Sequence, residues 1–95
     1  MEFEWDEAKR LINLEKHGID FVDVGDVWER PRLDQYEVDY RHGERRVTAI
    51  DTINDDERIV AVVYTMRDRV TRIISLRRAR RYEREDYQNA FGRGT

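Results

Sequence analysis

The sequence predicts an α+β domain, and three features of the residue pattern lead to this fold class. Apolar residues recur at helical spacing before residue 30, and they alternate or run together, as in strands, from about residue 33 to residue 76. The segment after residue 76 is again helical in pattern and rich in arginine. Short turns separate the strand-like runs, so we expect two N-terminal helices, an antiparallel meander of three or four strands, and a basic C-terminal helix.

The N-terminal residues predict a short strand and then a helix. Phe3 and Trp5 alternate with acidic residues, as in a strand. Asp6 is a good N-cap for a helix from Glu7 to about Lys16, and Gly18 is suited to end it. One face of this helix carries Ala8, Leu11, Ile12 and Glu15, and another carries Lys9, Asn13, Lys16 and His17, with Lys9 and Asn13 expected in solvent.

A second helix is predicted directly after the first. Asp20 is its N-cap and Pro31, the only proline, ends it. The apolar stripe at helical spacing consists of Phe21, Val24, Val27 and Trp28.

The remaining residues predict the sheet and the last helix. Ile59–Tyr64 is apolar on both faces, which is typical of a central strand that is covered on both sides. The other predicted strands are a weak one near Leu33–Tyr40, one from Arg45 to about Thr52 and one at Val70–Leu76. The predicted turns are His42–Glu44, Asn54–Asp56 and Arg67–Arg69. The final helix is predicted to run from about Arg78 or Arg80 to Ala90.

Charge is segregated along the chain. The net charge is −3, yet residues 1–40 hold twelve acids against five bases, whereas residues 67–84 hold eight arginines against two acids. Of the eighteen cationic residues, only Lys9 and Lys16 are lysines. Arginine grips phosphate with a planar fork of donors, so the basic segment indicates contact with nucleic acid. A codon bias toward arginine is the alternative explanation.

Composition excludes several classes of protein. The chain has no cysteine, so it has no disulfide, thiolate metal site or cysteine nucleophile. No apolar run reaches transmembrane length and no signal-peptide pattern opens the chain, so we expect a cytoplasmic protein without a membrane partner. Ninety-five residues can fill only one core, which predicts a single domain over residues 1–95.

Two segments and a central tetrapeptide resemble the BrnT toxins of bacterial type II toxin-antitoxin systems. The segments are Trp5-Asp6-x-x-Lys9-x-x-x-Asn13-x-x-Lys16-His17-Gly18 and Arg72-Ile73-Ile74-Ser75-x-Arg77-x-Ala79-x-x-x-Glu83-x-x-x-Tyr87, and the tetrapeptide is Val62–Thr65. The sequence departs from the family pattern at Arg80, where threonine is expected, and at Ile53-Asn54, which replaces a turn containing glycine.

This resemblance implies a fold, an activity and a partner. The implied fold is similar to that of the RelE ribonuclease toxins, and the implied activity is cleavage of RNA. The implied partner is a BrnA-like antitoxin with a ribbon-helix-helix part, through which the complex would bind operator DNA. Whether the toxin itself forms a homodimer stays open.

Cleaving RNA without a metal requires a base, an acid and positive charge near the phosphate. No cluster of carboxylates or histidines has metal-ligand spacing, so we expect a metal-independent reaction with no cofactor. Lys16 and His17 are the candidates for proton transfer. By themselves they are more simply explained as cations at a helix end, and it is the resemblance that favours catalysis, without saying which of the two moves the proton.

Arginines of the last strand and helix are the candidates for holding phosphates, namely Arg72, Arg77, Arg78 and Arg81. Strict alternation in the strand would set Arg72, Ile74 and Leu76 against Ile73, Ser75 and Arg77. If Leu76 faces the core, Arg77 and Ser75 face the open side, which makes Arg77 the first choice. Glu83 could orient an arginine, although a structural role is favoured. Within the helix the candidate ion pairs are Arg81 with Glu85 and Arg80 with Glu83.

Lys9 and Tyr87 complete the candidate substrate-binding residues. Lys9 could extend the wall formed by Lys16 and His17, although exposure to solvent is the simpler role. Tyr87 could stack on a base, although packing in the core is favoured. Two other functions fit the same basic patch, a non-catalytic module that binds RNA or the ribosome and a protein-interaction subunit of a repressor complex.

Overall fold

The computed structural model describes residues 2–28, 33–39, 43–53 and 56–91, and it forms one sheet with helices on both faces. The strands are β1 (Glu2–Glu4), β2 (Leu33–Asp39), β3 (Glu44–Ile53), β4 (Asp56–Arg67) and β5 (Val70–Arg78). The helices are α1 (Glu7–His17), α2 (Gly25–Trp28) and α3 (Arg81–Ala90), with a 3₁₀ turn at Phe21–Asp23 between the first two. None of these helices has the length and apolar character that a membrane span requires.

The sheet differs from the predicted antiparallel meander. Its strand order is β1-β5-β4-β3-β2, so β4 is the middle strand, as expected for the run that is apolar on both faces. The strands β2 to β5 do form an antiparallel meander, but β1 pairs in parallel with β5. The sheet is therefore mixed and five-stranded, because the short first strand adds to the edge that the meander leaves open.

The second N-terminal helix is also different from its prediction. Asp20 caps a single 3₁₀ turn by accepting a hydrogen bond from the Val22 amide at 3.2 Å, and only the four residues of α2 follow as α-helix. The apolar stripe itself is confirmed as core, since Phe21 and Val27 are fully buried. The RelE-like arrangement implied by the resemblance, with two N-terminal helices, does not match this architecture well. Pro31, Tyr40, His42, Asn54, Asp55 and residues 92–95 lie outside the described residues.

Local signals in the sequence set the ends of α1 and α3. Asp6 accepts hydrogen bonds from the amides of Ala8 and Lys9 at 2.9 and 3.2 Å, and Gly18 ends α1 with φ +70°. Arg80 is the N-cap of α3, within the predicted range. Because these contacts span only a few residues, a sequence pattern is enough to predict them.

Two apolar clusters cover the two faces of the sheet. The larger contains the buried residues of the 3₁₀ turn and α2, with Phe3, Trp5 and Trp28 packed against it. Trp28 makes edge-to-face contacts with Phe3 and Tyr64 at centroid distances of 5.3 and 5.0 Å. The packing predicted for Trp28, in the apolar stripe, and for Tyr64, in the central strand, is confirmed. On the other face, α3 packs through Tyr87 on a smaller cluster of Ile50, Ala61 and Ala79.

A bulge in β5 changes which of its residues share a face. Successive residues of β4 pair with Ser75 and Ile73, so within the described sheet Ile74 has no partner on β4. As a result, Ile73 and Leu76 lie in the same core cluster although they are three residues apart. The strict alternation predicted for this strand is therefore wrong, because a bulge adds one residue to the period.

The bulge also brings two of the candidate arginines onto one face. Arg72 pairs with Thr65 and Arg77 pairs with Ala61. Paired residues of neighbouring strands share a face, and the two β4 residues are four apart on a regular strand, so Arg72 and Arg77 lie on the same side. This is the side on which α3 packs. The prediction that Arg77 lies on an open face of the sheet is therefore wrong.

The side chain of Asn13 joins α1 to the sheet. β1 pairs with β5 only as far as Arg72, and beyond it the Asn13 amide takes the place of a neighbouring strand. Its Nδ2 donates to the Leu76 carbonyl at 2.7 Å and its Oδ1 accepts from the Leu76 amide at 3.2 Å. Asn13 is 8 % exposed, so the prediction that it lies in solvent is wrong. Leu11 and Ile12, which the sequence placed on the apolar face of this helix, are instead 52 and 64 % exposed.

Replacing Asn13 with alanine should lower the free energy of unfolding by about 2 to 3 kcal/mol, because both backbone groups of Leu76 would lose their partner in a buried place. Urea unfolding followed by circular dichroism measures this change. Glu15→Ala, at an exposed position of the same helix, is the control and should change stability by less than about 0.5 kcal/mol. A change for Asn13→Ala no larger than that of the control would show that the contact does not hold α1.

Candidate active site

The C-terminal end of α1 meets the C-terminal end of β5. Asn13 fixes α1 beside Leu76, and His17 follows one helical turn later on the same face. Arg77 follows Leu76 on β5, and its positive charge acts on the imidazole of His17. Lys16 and Arg77 therefore both lie near enough to His17 for their charges to act on its ring.

Glu83 of α3 holds the guanidinium of Arg77 in a fork. Arg77 Nη1 donates to Glu83 Oε1 at 2.7 Å, and Nη2 donates to Oε2 at 3.0 Å. The same Glu83 Oε1 accepts from the Arg80 amide at 2.7 Å, which satisfies a donor at the start of α3. Glu83 thus orients an arginine, a role that the sequence allowed but did not favour. Its ion-pair partner is Arg77, however, and Arg80, the predicted partner, contributes its backbone.

The environment of Glu83 favours its charged form. The carboxylate is 1 % exposed, and burial alone would raise its pKa. The hydrogen bonds from Arg77 and from the Arg80 amide, together with the charges of both arginines, outweigh burial and leave the pKa below the ordinary value of 4.5. Arg77 is consequently paired with a full negative charge at neutral pH.

The environment of His17 favours the neutral imidazole. Partial burial lowers its pKa first, and the positive charges of Lys16 and Arg77 lower it further below the ordinary value of 6.5. At neutral pH the ring is therefore deprotonated. A neutral imidazole beside two cations can accept a proton from a substrate whose negative charge the cations attract.

Arg78 and Arg81 are exposed to solvent. Arg78 is exposed, and its backbone carbonyl accepts from Arg77 Nη1 at 3.3 Å. The side chain of Arg81 is 86 % exposed and pairs with Glu85 at 3.1 Å, which confirms the predicted helical pair. Both lie close to Arg77 in sequence.

Arg72 and Lys9 line a separate cleft of about 170 Å³. This cleft carries mixed charge, because Asp6 and Glu44 line it together with Arg46 and Arg67. Arg72 Nη1 also lies 3.7 Å from Glu4 Oε1. The structure therefore separates these two candidates from the group formed by Lys16, His17 and Arg77.

Ser75 and Tyr87 occupy positions of different kinds. Ser75 is half-buried next to the β5 bulge. The Tyr87 hydroxyl donates to Asp51 Oδ1 at 2.8 Å, and its ring lies 4.9 Å from that of Phe91. Asp51 is fully buried, so this bond fastens α3 to β3. The position of Tyr87 agrees with the core role that the sequence favoured over base stacking.

Residues that sequence reasoning missed include Asn13, which positions the helix end that carries the site. The signal available was its place one turn before His17, but nothing local marked it as buried. Within the described residues, no three histidine, aspartate or glutamate side chains converge in a way that could hold a metal ion.

Comparison with known protein families identifies a match. A family model described as the ribonuclease toxin BrnT of type II toxin-antitoxin systems matches residues 5–83, which is most of the chain and includes Lys16, His17, Arg77 and Glu83. Among curated proteins, none matches the chain.

The imidazole of His17 should titrate below pH 6.5, and Lys16→Gln should raise its pKa because one of the two neighbouring cations is removed. An NMR titration of the imidazole, assigned through His17→Gln, measures both values. Lys9→Gln removes the same charge at a position about 12 Å from His17 along the axis of α1, and it should leave the titration of His17 unchanged. A wild-type midpoint at or above 6.5 would contradict the lowered pKa of His17.

Glu83→Gln should lower the free energy of unfolding at pH 7 by about 3 kcal/mol, because it removes the charge that pairs with the half-buried Arg77. The folded-state pKa of Glu83 is depressed, so its contribution is present above the ordinary value of 4.5 and is lost as pH falls through the folded-state pKa. The difference between wild type and variant should therefore shrink in urea unfolding at pH 3 to 4. Glu85→Gln breaks an exposed pair and should cost less than about 1 kcal/mol. Equal costs for the two variants would refute a special role for Glu83.

Proposed function

The chain belongs to the family of BrnT ribonuclease toxins of type II toxin-antitoxin systems, and we propose that it cleaves RNA without a metal ion, with Lys16, His17 and Arg77 at the centre of the site. A ribonuclease toxin of this kind has RNA as substrate and an antitoxin as partner. The observation that carries the proposal is that Arg77, which Glu83 holds by two hydrogen bonds, lies close enough to His17 for its charge to lower the pKa of the imidazole. The proposed unit is one domain over residues 1–95, since the helices pack on a single sheet.

His17 is the proposed general base. Its pKa is lowered, so at neutral pH it is already unprotonated and can take the proton of the ribose 2′-hydroxyl. The 2′-oxygen then attacks the adjacent phosphorus, and the bond from phosphorus to the 5′-oxygen breaks. The products are a 2′,3′-cyclic phosphate and a free 5′-hydroxyl. This choice of His17 over Lys16 follows from the environment of the ring.

Arg77 and Lys16 act on the charge that develops during this attack. The transition state carries additional negative charge on the phosphate oxygens, and a preorganised cation stabilises it more strongly than a mobile one. Glu83 supplies this preorganisation for Arg77. Lys16 is exposed at the same helix end and is the proposed acid that protonates the leaving 5′-oxygen.

The remaining candidates are proposed to bind the RNA strand outside the centre. Arg78 and Arg81 are exposed next to Arg77 in the chain and can reach flanking phosphates. Arg72 and Lys9 would contact the strand at the separate cleft, and Ser75 lies between Arg72 and Arg77 in the sequence of β5. Tyr87 holds α3 on the sheet, and its contribution to binding is indirect.

The proposed partner is a BrnA-like antitoxin with a ribbon-helix-helix part, which would carry the complex to operator DNA in the cytoplasm. Leu11 and Ile12 of α1 are more than half exposed, and apolar surface of this kind marks places where a protein partner binds. A homodimer of the toxin is the alternative way to cover them.

The purified protein should degrade RNA in the presence of EDTA, and His17→Gln and Arg77→Gln should reduce the rate by about 100-fold or more, because each removes one function in the transition state. Gel analysis of a defined RNA, with mass spectrometry of the ends, measures both rate and product. Circular dichroism and urea unfolding establish that each variant is folded.

Arg69→Gln removes the same charge from the turn between β4 and β5 and is the matched control, which should cleave like the wild type. A substrate with sulfur in place of the leaving 5′-oxygen needs no acid, so it should restore the rate of Lys16→Gln but not that of His17→Gln. If the RNA stays intact in every sample, both as free RNA and on translating ribosomes, the result contradicts the proposal of catalysis. Cleavage abolished by EDTA would sink its metal independence.

A further inference from the structure

Three arginines from three elements line a second pocket, of about 310 Å³, at the end of the sheet. Arg58 comes from β4, Arg78 from the end of β5 and Arg84 from α3. Ile59, Ala79 and Gln88 complete the described lining. Among these described residues none is acidic, in contrast to the cleft at Lys9 and Arg72, which includes two carboxylates.

The backbone around this pocket is fixed by hydrogen bonds. The Ala79 amide donates to the Ile59 carbonyl at 2.9 Å, which extends the pairing of β4 with β5 past the last ladder residue. Arg84 Nη1 donates to the Ala79 carbonyl at 2.8 Å. This bond uses one of the five N–H donors of the guanidinium and holds the group at the wall of the pocket. Arg84 is therefore positioned by the fold.

Apolar and polar groups divide the pocket in a way that suits a nucleotide. Ala79 is 4 % exposed, and it belongs with Ile59 to the apolar cluster beneath α3. Gln88 lies one helical turn after Arg84, on the same face of α3. The guanidinium groups can donate hydrogen bonds to the oxygen atoms of a phosphate. The volume of the pocket is at the lower end of the range for small-ligand sites, so the pocket is larger than a phosphate alone requires.

From this arrangement we infer that the pocket of Arg58, Arg78 and Arg84 binds a phosphodiester of the RNA strand, one that flanks the cleaved bond. The inference rests on the proposed function. Arg77 and Arg78 are consecutive residues joined by the bond from Arg77 Nη1 to the Arg78 carbonyl, so a strand bound at Arg77 passes directly beside this pocket. Arg77 would then contact the phosphate that is cleaved, and Arg78 would contact the flanking phosphodiester in the pocket.

The test is binding of a single-stranded 2′-O-methyl RNA of about ten nucleotides, which the internal attack cannot cleave. Fluorescence anisotropy with the full chain gives Kd at several salt concentrations. Each of Arg58→Gln and Arg84→Gln should weaken binding by about tenfold, because a charge-assisted contact is lost. The double variant should reduce the slope of log K against log salt by about 0.7, the value for one phosphate on a single strand.

Matched controls keep the inference separate from the catalytic proposal. Arg69→Gln removes the same charge outside the pocket and should bind with the Kd and the salt slope of the wild type. Should Arg84→Gln unfold the protein through loss of its bond to Ala79, Arg58→Gln together with NMR titration of the arginine Nε–H groups of the wild type decides the question. Movement of the Arg58, Arg78 and Arg84 signals on addition of the RNA supports the inference.

Unchanged affinity and salt slope in both pocket variants would overturn the inference, even if the wild type cleaves RNA. The same holds if the variants keep their affinity for RNA and lose affinity only for the antitoxin, because the pocket would then belong to the protein partner. If instead the wild type cleaves no RNA but the variants lose binding and salt slope, the phosphate site stands and the catalytic proposal fails.

Discussion

The arrangement of this protein depends on the pairing of one side-chain amide with one backbone residue. Asn13 satisfies both polar groups of Leu76 at the part of the β5 edge that the three residues of β1 do not reach. Without it, a buried donor and a buried acceptor would each lose a partner. The same contact fixes the rotation of α1 about its axis. It therefore decides that His17 faces β5 and that Leu11 and Ile12 face outward.

Glu83 links the candidate site to the stability of the fold. Its carboxylate orients the guanidinium of Arg77 and also accepts from the amide at the start of α3. A buried carboxylate is tolerated only when its hydrogen-bonding capacity is used, and here two arginines supply the donors. The cation proposed to stabilise the transition state is thus held rigidly, with its own counter-charge on the side away from solvent.

The arginine-rich segment divides into groups with different surroundings. The bulge at Ile74 brings Arg72 and Arg77 onto one face, where α3 packs at one end of the sheet. Arg77 is paired within the protein, whereas Arg78 lines the pocket with Arg58 and Arg84. A count of charge along the chain treats these residues as one patch. The fold distributes them among three places with different neighbouring residues.

The sequence by itself determined the class of the fold, the ends of α1, the course of β2 to β5 and the start of α3, because caps, turns and apolar periods act between residues close in the chain. Its motifs also identified the family and made Lys16 and His17 the candidates for proton transfer. Only the tertiary structure decided the parallel pairing of β1, the burial of Asn13 and the partner of Arg77. Asn13 and Leu76 are 63 residues apart, and no local pattern encodes such a contact. The bulge in β5 likewise depends on the register against β4, which is set by packing across the whole sheet.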